Sequence, residues 1–141
     1  MRIDGPRVLL EPYAAQAIAL VLHELATNAA KYGSLSLPDG RISVTWLQEV
    51  GRPTVLHWKE MDGPAVQTPT RQGFGARIIE RMIGQLEGKA RLDWRADGLV
   101  CEITLPPWFC HTHLMGRMPA IVLDSGSKMG ARSNRSLCDQ L

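Results

Sequence analysis

The chain has 141 residues, of which 45% are apolar and 21% charged, with a net charge of +2. That length supports one ordinary domain with a real core, and the absence of a dense Lys/Arg stripe gives no case for a nucleic-acid partner. Cys101, Cys110 and Cys138 are widely spaced and odd in number, which argues against a disulfide framework or a zinc knuckle and suits a reducing cytosol.

No apolar run approaches the roughly 18 residues that cross a bilayer. The opening stretch "MRIDGPRVLLEP" lacks an apolar signal core. A cytoplasmic chain without membrane contact is expected, or the cytoplasmic piece of something larger.

"RVLL" at 7–10 reads as a brief strand. A helix follows from about Tyr13 to Tyr32, favoured by its alanine content. Ile18, Leu22, Leu25, Ala29 and Tyr32 recur at helical spacing as a core stripe, with Gly33 as a C-terminal cap. "LSLPDGR" at 35–41 is a turn. "RISVTWLQEV" then alternates, with Ile42, Val44 and Trp46 on one side. "TVLHWKE" at 54–60 completes a β-hairpin. From Met61 to Gly75 no period holds, and scattered Gly and Pro read as a loop. Helical spacing returns at 76–86 through Ile78, Ile79, Met82, Ile83 and Leu86. "GKARLDWR" and "LVCEITLP" form a second hairpin around "ADG" at 96–98. Antiparallel hairpins with too few helices to cover both sheet faces argue for a two-layer α/β sandwich, helices on one face. Residues 107–141 follow a Pro-Pro break and read as a linker or poorly ordered tail. Within them "PAIVLD" at 119–124 has strand character but no evident pairing partner.

Three stretches carry possible chemistry. In "HELATNAAKYG" at 23–33, Glu24, Asn28 and Lys31 fall within a wedge of roughly 60° beside the core stripe. Carboxylate and amide oxygens suit Mg²⁺, and an ammonium suits phosphate. The competing reading is a solvated Glu–Lys face with an incidental Asn. In "HWKEMDGPAV" at 57–66 a strand ends in Glu60 and Asp62, followed by Gly63. A carboxylate there can accept a hydrogen bond from an exocyclic amine such as that of adenine, with Gly permitting close approach; a plain acidic turn explains it equally well. In "RQGFGAR" at 71–77, Gly73 and Gly75 precede a helix whose unpaired N–H groups favour an anion. No GK[ST] follows, so this is not a Walker A loop, and no parallel βαβ unit makes it a dinucleotide fingerprint.

Taken in order, these stretches resemble the ATP-binding catalytic domain of sensor histidine kinases, specifically the HWE subgroup. That family lies within the superfamily of gyrase, MutL and a heat-shock chaperone. "HELATNAAKYGSLS" is similar to the N box, with His23 at its start. "WKEMDGP" is similar to the G1 box through Trp58 and Glu60, and "GFGARIIER" to the G2 box. The resemblance covers residues 3–106. It implies the Bergerat ATP-binding fold, a mixed sheet with helices on one face. It implies that Asn28 holds Mg²⁺, with Glu24 assisting the metal or its waters, and that Lys31 contacts phosphate and Tyr32 lies near the nucleotide. Glu60 matches the adenine-reading acid. Asp62 departs from the subgroup by standing where glycine is usual, which leaves either acid, beside Gly63, to read adenine. Gly73, Phe74 and Gly75 match the loop that closes on the phosphates, and 61–75 would act as a lid.

What the resemblance implies is a Mg²⁺- and ATP-dependent protein-histidine kinase part. It would donate the γ-phosphoryl group to a histidine of a dimerisation and phosphoacceptor helical domain, with a response regulator downstream. None of His23, His57, His111 or His113 sits in such an acceptor hairpin. The rivals are a nucleotide-binding regulatory module without phosphotransfer and a serine-directed kinase of the anti-sigma type. His23 lies about 100° around the helix from Glu24 and need not touch nucleotide. Trp58 alternates with hairpin core positions and reads as packing. "CHTH" at 110–113 lacks zinc-site spacing.

Overall fold

A computed structural model describes residues 1–64, 74–111 and 121–123. Strands β1 (Arg2–Asp4) and β2 (Val8–Leu10) lead into helix α1 (Pro12–Lys31). Pro12 starts the helix where its missing N–H costs nothing. The stripe Ile18, Val21, Leu25 and Ala29 is buried. Each of the three larger side chains contributes about 1.5–3 kcal/mol on leaving water. A single turn of 3₁₀-helix, Ser34–Ser36, follows.

Strands β3 (Arg41–Leu47) and β4 (Thr54–Met61) form the expected hairpin. Helix α2 spans Phe74–Gly84, and β5 (Lys89–Arg95) and β6 (Gly98–Leu105) form the second hairpin. Among the described residues the main sheet has five strands in the order β1-β3-β4-β6-β5, antiparallel except for the parallel β1–β3 pair.

Register explains why one face is core. Val44 lies opposite Trp58 and Trp58 opposite Cys101; Trp46 lies opposite Leu56 and Leu56 opposite Ile103. Directly paired residues share a face, and all six are buried. Ser43, Thr45, His57, Lys59 and Glu102 occupy the other face, half-buried or exposed. The helices bury Val21, Leu25, Ile79 and Ile83 in that same core. The architecture is thus the expected two-layer α/β sandwich with a mixed sheet and helices on one face.

Several expectations change. The stretch around 119–124 does have a partner. β7 (Cys110–His111) and β8 (Ile121–Leu123) both pair antiparallel with β2, forming a second, three-stranded sheet. The backbone N–H of Glu11 also donates to the Phe109 carbonyl at 3.1 Å. The stripe does not reach Tyr32, which is 75% exposed, because the helix ends at Lys31 and Tyr32 is its cap. Nor is Gly33 a left-handed cap: its φ is −109°.

Candidate nucleotide site

The site gathers at the C-terminal half of α1. Glu24 and Asn28 are half-buried and Lys31 exposed, as a polar face beside a core stripe requires. Glu24 and Asn28, four residues apart, stand one above the other. Gly75, at the start of α2, meets the same face. A Cβ added to it would lie 3.0 Å from Asn28 Nδ2. The N-box-like helix and the G2-like segment are therefore in direct contact. Gly73 lies outside the described residues, as does most of the 61–75 loop, and the side chain of Phe74 is not described.

Glu60 sits at the end of β4, paired with Ile42 on the core face, and is only 3% exposed. The Ser34 backbone N–H donates to its Oε2 at 2.8 Å. The Trp58 indole N–H donates to its Oε1 at 3.4 Å. A buried carboxylate needs such donors. Glycines make room for it. A Cβ at Gly33 would collide with Glu60 Oε2, and one at Gly98 would lie 2.7 Å from the Glu60 carbonyl oxygen. Gly33 is needed here for its missing side chain, not for backbone freedom. Gly63 packs so closely on Ser34 that its Cβ would lie 2.7 Å from the Ser34 Cα.

Asp62 is placed differently. It adopts a left-handed φ of 57°, which asparagine and aspartate tolerate better than most residues. Arg41 donates to its Oδ2 through Nε at 2.9 Å and a terminal nitrogen at 2.6 Å. The two side chains are 69% and 48% exposed, so the pair contributes at most about 1 kcal/mol. Asp62 thus faces Arg41 at the surface while Glu60 points inward.

Other candidates fall away from this centre or stay at its rim. Tyr32 is solvent-exposed, as is His23. Trp58 is buried packing, and it also touches Glu60. Cys110 is buried in the core, and His113 lies outside the described residues. Among the described residues no cluster of three His, Cys, Asp or Glu side chains forms a cation site. Asn28 and Glu24 still fit Mg²⁺. That ion keeps waters and takes one or two protein oxygens together with substrate phosphates. Sequence reasoning missed Ser34 and Gly33 as partners of Glu60. Both follow the helix directly, and only the three-dimensional return of β4 brings them to the carboxylate.

No family model matches the chain. It is 44% identical over 106 residues to blue-light-activated histidine kinase 1 of Erythrobacter litoralis (strain HTCC2594), an alignment covering 73% of this chain and 29% of that protein. It is 38% identical over 110 residues to the blue-light-activated histidine kinase of Brucella anthropi, covering 75% of this chain and 22% of the relative. The chain belongs to the histidine kinase catalytic-domain family. These relatives are consistent with the HWE subgroup. The fold agrees. The histidine kinase domain of the Erythrobacter litoralis EL346 blue-light-activated kinase superposes with a TM-score of 0.65 at 18% identity, over 76% of this chain and 51% of that one. The catalytic domain of histidine kinase ThkA gives a TM-score of 0.51 at 21% identity, over 65% of this chain and 67% of that one. This histidine kinase domain spans less than a third of the length of the curated relatives it matches. Among the described residues no helix is long and apolar enough to cross a membrane.

Proposed function

We propose that this chain is the Mg²⁺- and ATP-binding catalytic part of a cytoplasmic sensor histidine kinase. It donates the γ-phosphoryl group of ATP to a histidine on a dimerisation and phosphoacceptor helical domain, from which a response regulator takes it. The contact between Gly75 and the Asn28 amide carries this reading. The Asn28 side-chain amide, whose oxygen suits a hard cation, lies against a helix start of the kind that favours phosphate, which supports the reading. Relatives named as histidine kinases support it.

Phosphoryl transfer asks a protein for positioning and charge neutralisation more than for covalent chemistry. Asn28 and Glu24 hold the cation, which when bound neutralises phosphate charge. Lys31 adds a point charge for phosphate oxygens, the Gly73, Phe74 and Gly75 stretch is the proposed phosphate-binding sequence, and Tyr32 lies at the rim. Glu60 accepts a hydrogen bond from the adenine amine, and Gly63 packs on Ser34, whose N–H holds that carboxylate. Its burial and its two N–H donors fix the carboxylate before ligand arrives, so little freedom is lost on binding. Asp62, engaged by Arg41, serves the turn and not the base.

Isothermal titration with ATP, with and without Mg²⁺, tests binding. Adding a separate phosphoacceptor helical domain and γ-labelled ATP tests transfer. Acid-labile, base-stable label on that domain supports the histidine kinase. ATP binding without transfer favours a regulatory module, and acid-stable label favours a serine kinase.

A further inference from the structure

The main sheet has two unlike faces. Both helices pack on the core face, and the alternate residues of β3, β4, β6 and β5 build the other. Strand pairing lays that open face out in rows. One row runs Leu47, Val55, Thr104 and Lys89 across the four strands. In the next row Arg91 lies opposite Glu102, and in the row after that Lys59 lies opposite Val100. The outer face of an antiparallel sheet left to water is ordinarily polar. This one carries Leu47 at 68% exposure and, at the hairpin tip beyond it, Val50 at 83%. Val55 and Val100 are half-buried further in.

The charges on the face are unevenly matched. Its acids each have a partner: Arg2 donates to Asp4 at 2.9 Å, Arg95 to Asp93 at 2.8 Å, and Glu102 lies 3.7 Å from His57 Nδ1. Lys59, Lys89 and Arg91 are exposed and have no acidic partner among the described residues. Lys89 and Arg91 stand two residues apart on β5, so they line one side of the face together. Cations on an edge strand also discourage the addition of a further strand. Lys59 lies on β4, in the middle of the sheet, where that reason does not apply.

We propose that this open face is a docking surface for an amphipathic helix with an acidic flank. A helix laid along β4 and β6 would set its apolar stripe on Val55, Thr104 and Val100. Its acids would then meet Lys89 and Arg91 on one side and Lys59 at one end. The lengths agree: β4 and β6 have eight residues each, about 26 Å, which a helix of about 17 residues spans. The result is a third layer on a two-layer fold, with charge choosing the partner more than holding it. An anionic lipid surface fits less well, because it would press on Asp93 and Glu102 as well as on the cations. A helix can place its acids opposite the free cations alone. Glu60 faces the core side of the sheet, so this surface is separate from the candidate nucleotide site.

The test uses the full 141-residue chain and a fluorescent peptide of about 17 residues, with leucines at helical spacing and glutamates elsewhere. A twin peptide carries lysines for the glutamates, and vesicles of equal parts phosphatidylcholine and phosphatidylglycerol present the lipid alternative. By fluorescence anisotropy the parent should bind the glutamate peptide at least about tenfold more tightly than its twin. The double variant Lys89→Glu with Arg91→Glu should lose about tenfold in affinity for the glutamate peptide. Leu47→Ser changes a side chain already 68% exposed, so it keeps the fold; it should weaken the same peptide several-fold. MgATP affinity should be the same in all three proteins. A parent that binds neither peptide, or variants that bind the glutamate peptide as the parent does, overturn the proposal. Binding to the vesicles without binding to the peptide overturns it in favour of a lipid surface. Loss of MgATP binding in the parent would count against the nucleotide reading and leave this surface untouched.

Discussion

Gly75 lies against the side-chain amide of Asn28, so that a Cβ added there would stand 3.0 Å from Nδ2. That spacing is tighter than ordinary van der Waals contact, and the amide would have to give way by a few tenths of an ångström. Within a helix alanine is favoured over glycine by up to about 1 kcal/mol. Gly75→Ala should therefore melt no lower than the parent yet bind MgATP several-fold more weakly. Thermal melting and calorimetry on the same sample check this. A variant that binds as the parent does would show that the position of the amide is unimportant.

Asn28→Ala removes the amide oxygen altogether, and a methyl group offers nothing to a hard cation. MgATP affinity should fall at least about tenfold, or about 1.4 kcal/mol, with the Mg²⁺ dependence largely gone. Undiminished MgATP binding would remove Asn28 from the metal site.

Glu60 and Asp62 separate cleanly by substitution. Losing a hydrogen bond to a charged group costs about 1.5–3 kcal/mol, so Glu60→Gln should weaken ATP roughly ten- to a hundredfold. Asp62→Asn loses only an exposed pair with Arg41 and should stay within about twofold of the parent. GTP should bind the parent poorly. The reverse pattern would transfer base reading to Asp62.

Gly33→Ala puts a methyl group into collision with Glu60 Oε2 and 2.9 Å from the Ala29 Cα. The carboxylate must move and surrender the Ser34 N–H. Since about 1 kcal/mol shifts Tm by roughly 2–8 °C at this size, a drop of several degrees is expected in differential scanning calorimetry. The loss should shrink in a Glu60→Ala background, where the collision is gone. Equal losses in both backgrounds would separate Gly33 from Glu60.

Burial, with the Glu102 carboxylate as the smaller cause, pushes the Cys101 thiol up from 9.0 to about 12. Below pH 9 the thiol is neutral folded or unfolded, so no penalty arises. Between about pH 9 and pH 12 the unfolded chain gives up a proton that the folded chain retains, and stability falls as pH rises. The parent should lose up to about 1.4 kcal/mol per pH unit more than Cys101→Ala across that window. Denaturant titrations at pH 8, 9 and 10 measure the difference. Parallel slopes would place the thiol in contact with solvent.

Much of this was legible because α1 and the two hairpins state their own periods. Ile18, Leu25 and Ala29 recur at helical spacing, and Ile42, Val44 and Trp46 alternate; all are buried. Asn28 and Glu60 stood out as candidates because each sits at a fixed offset within a local stretch. What escaped was long-range. β1 is three exposed residues with no alternation to read. Val122 pairs with Leu9 more than a hundred residues away, and no local pattern encodes that. Gly33 looked like a helix cap because glycine after a helix usually is one. Its actual constraint comes from Glu60, on a strand reached only after a hairpin turn.

The small second sheet ties the beginning of the chain to its far end. β2 is hydrogen-bonded along both edges by strands that follow β6, and two residues later the backbone enters the helix that carries Asn28. A recombinant fragment cut at residue 106 would strip both edges from β2 at once. Val8 and Leu10 would lose Cys110, buried with them in the same core, and bare strand edges recruit other chains. Such a fragment should precipitate or self-associate. Its failure would be a fault of the cut, and any loss of nucleotide binding in it would say nothing against Asn28 or Glu60.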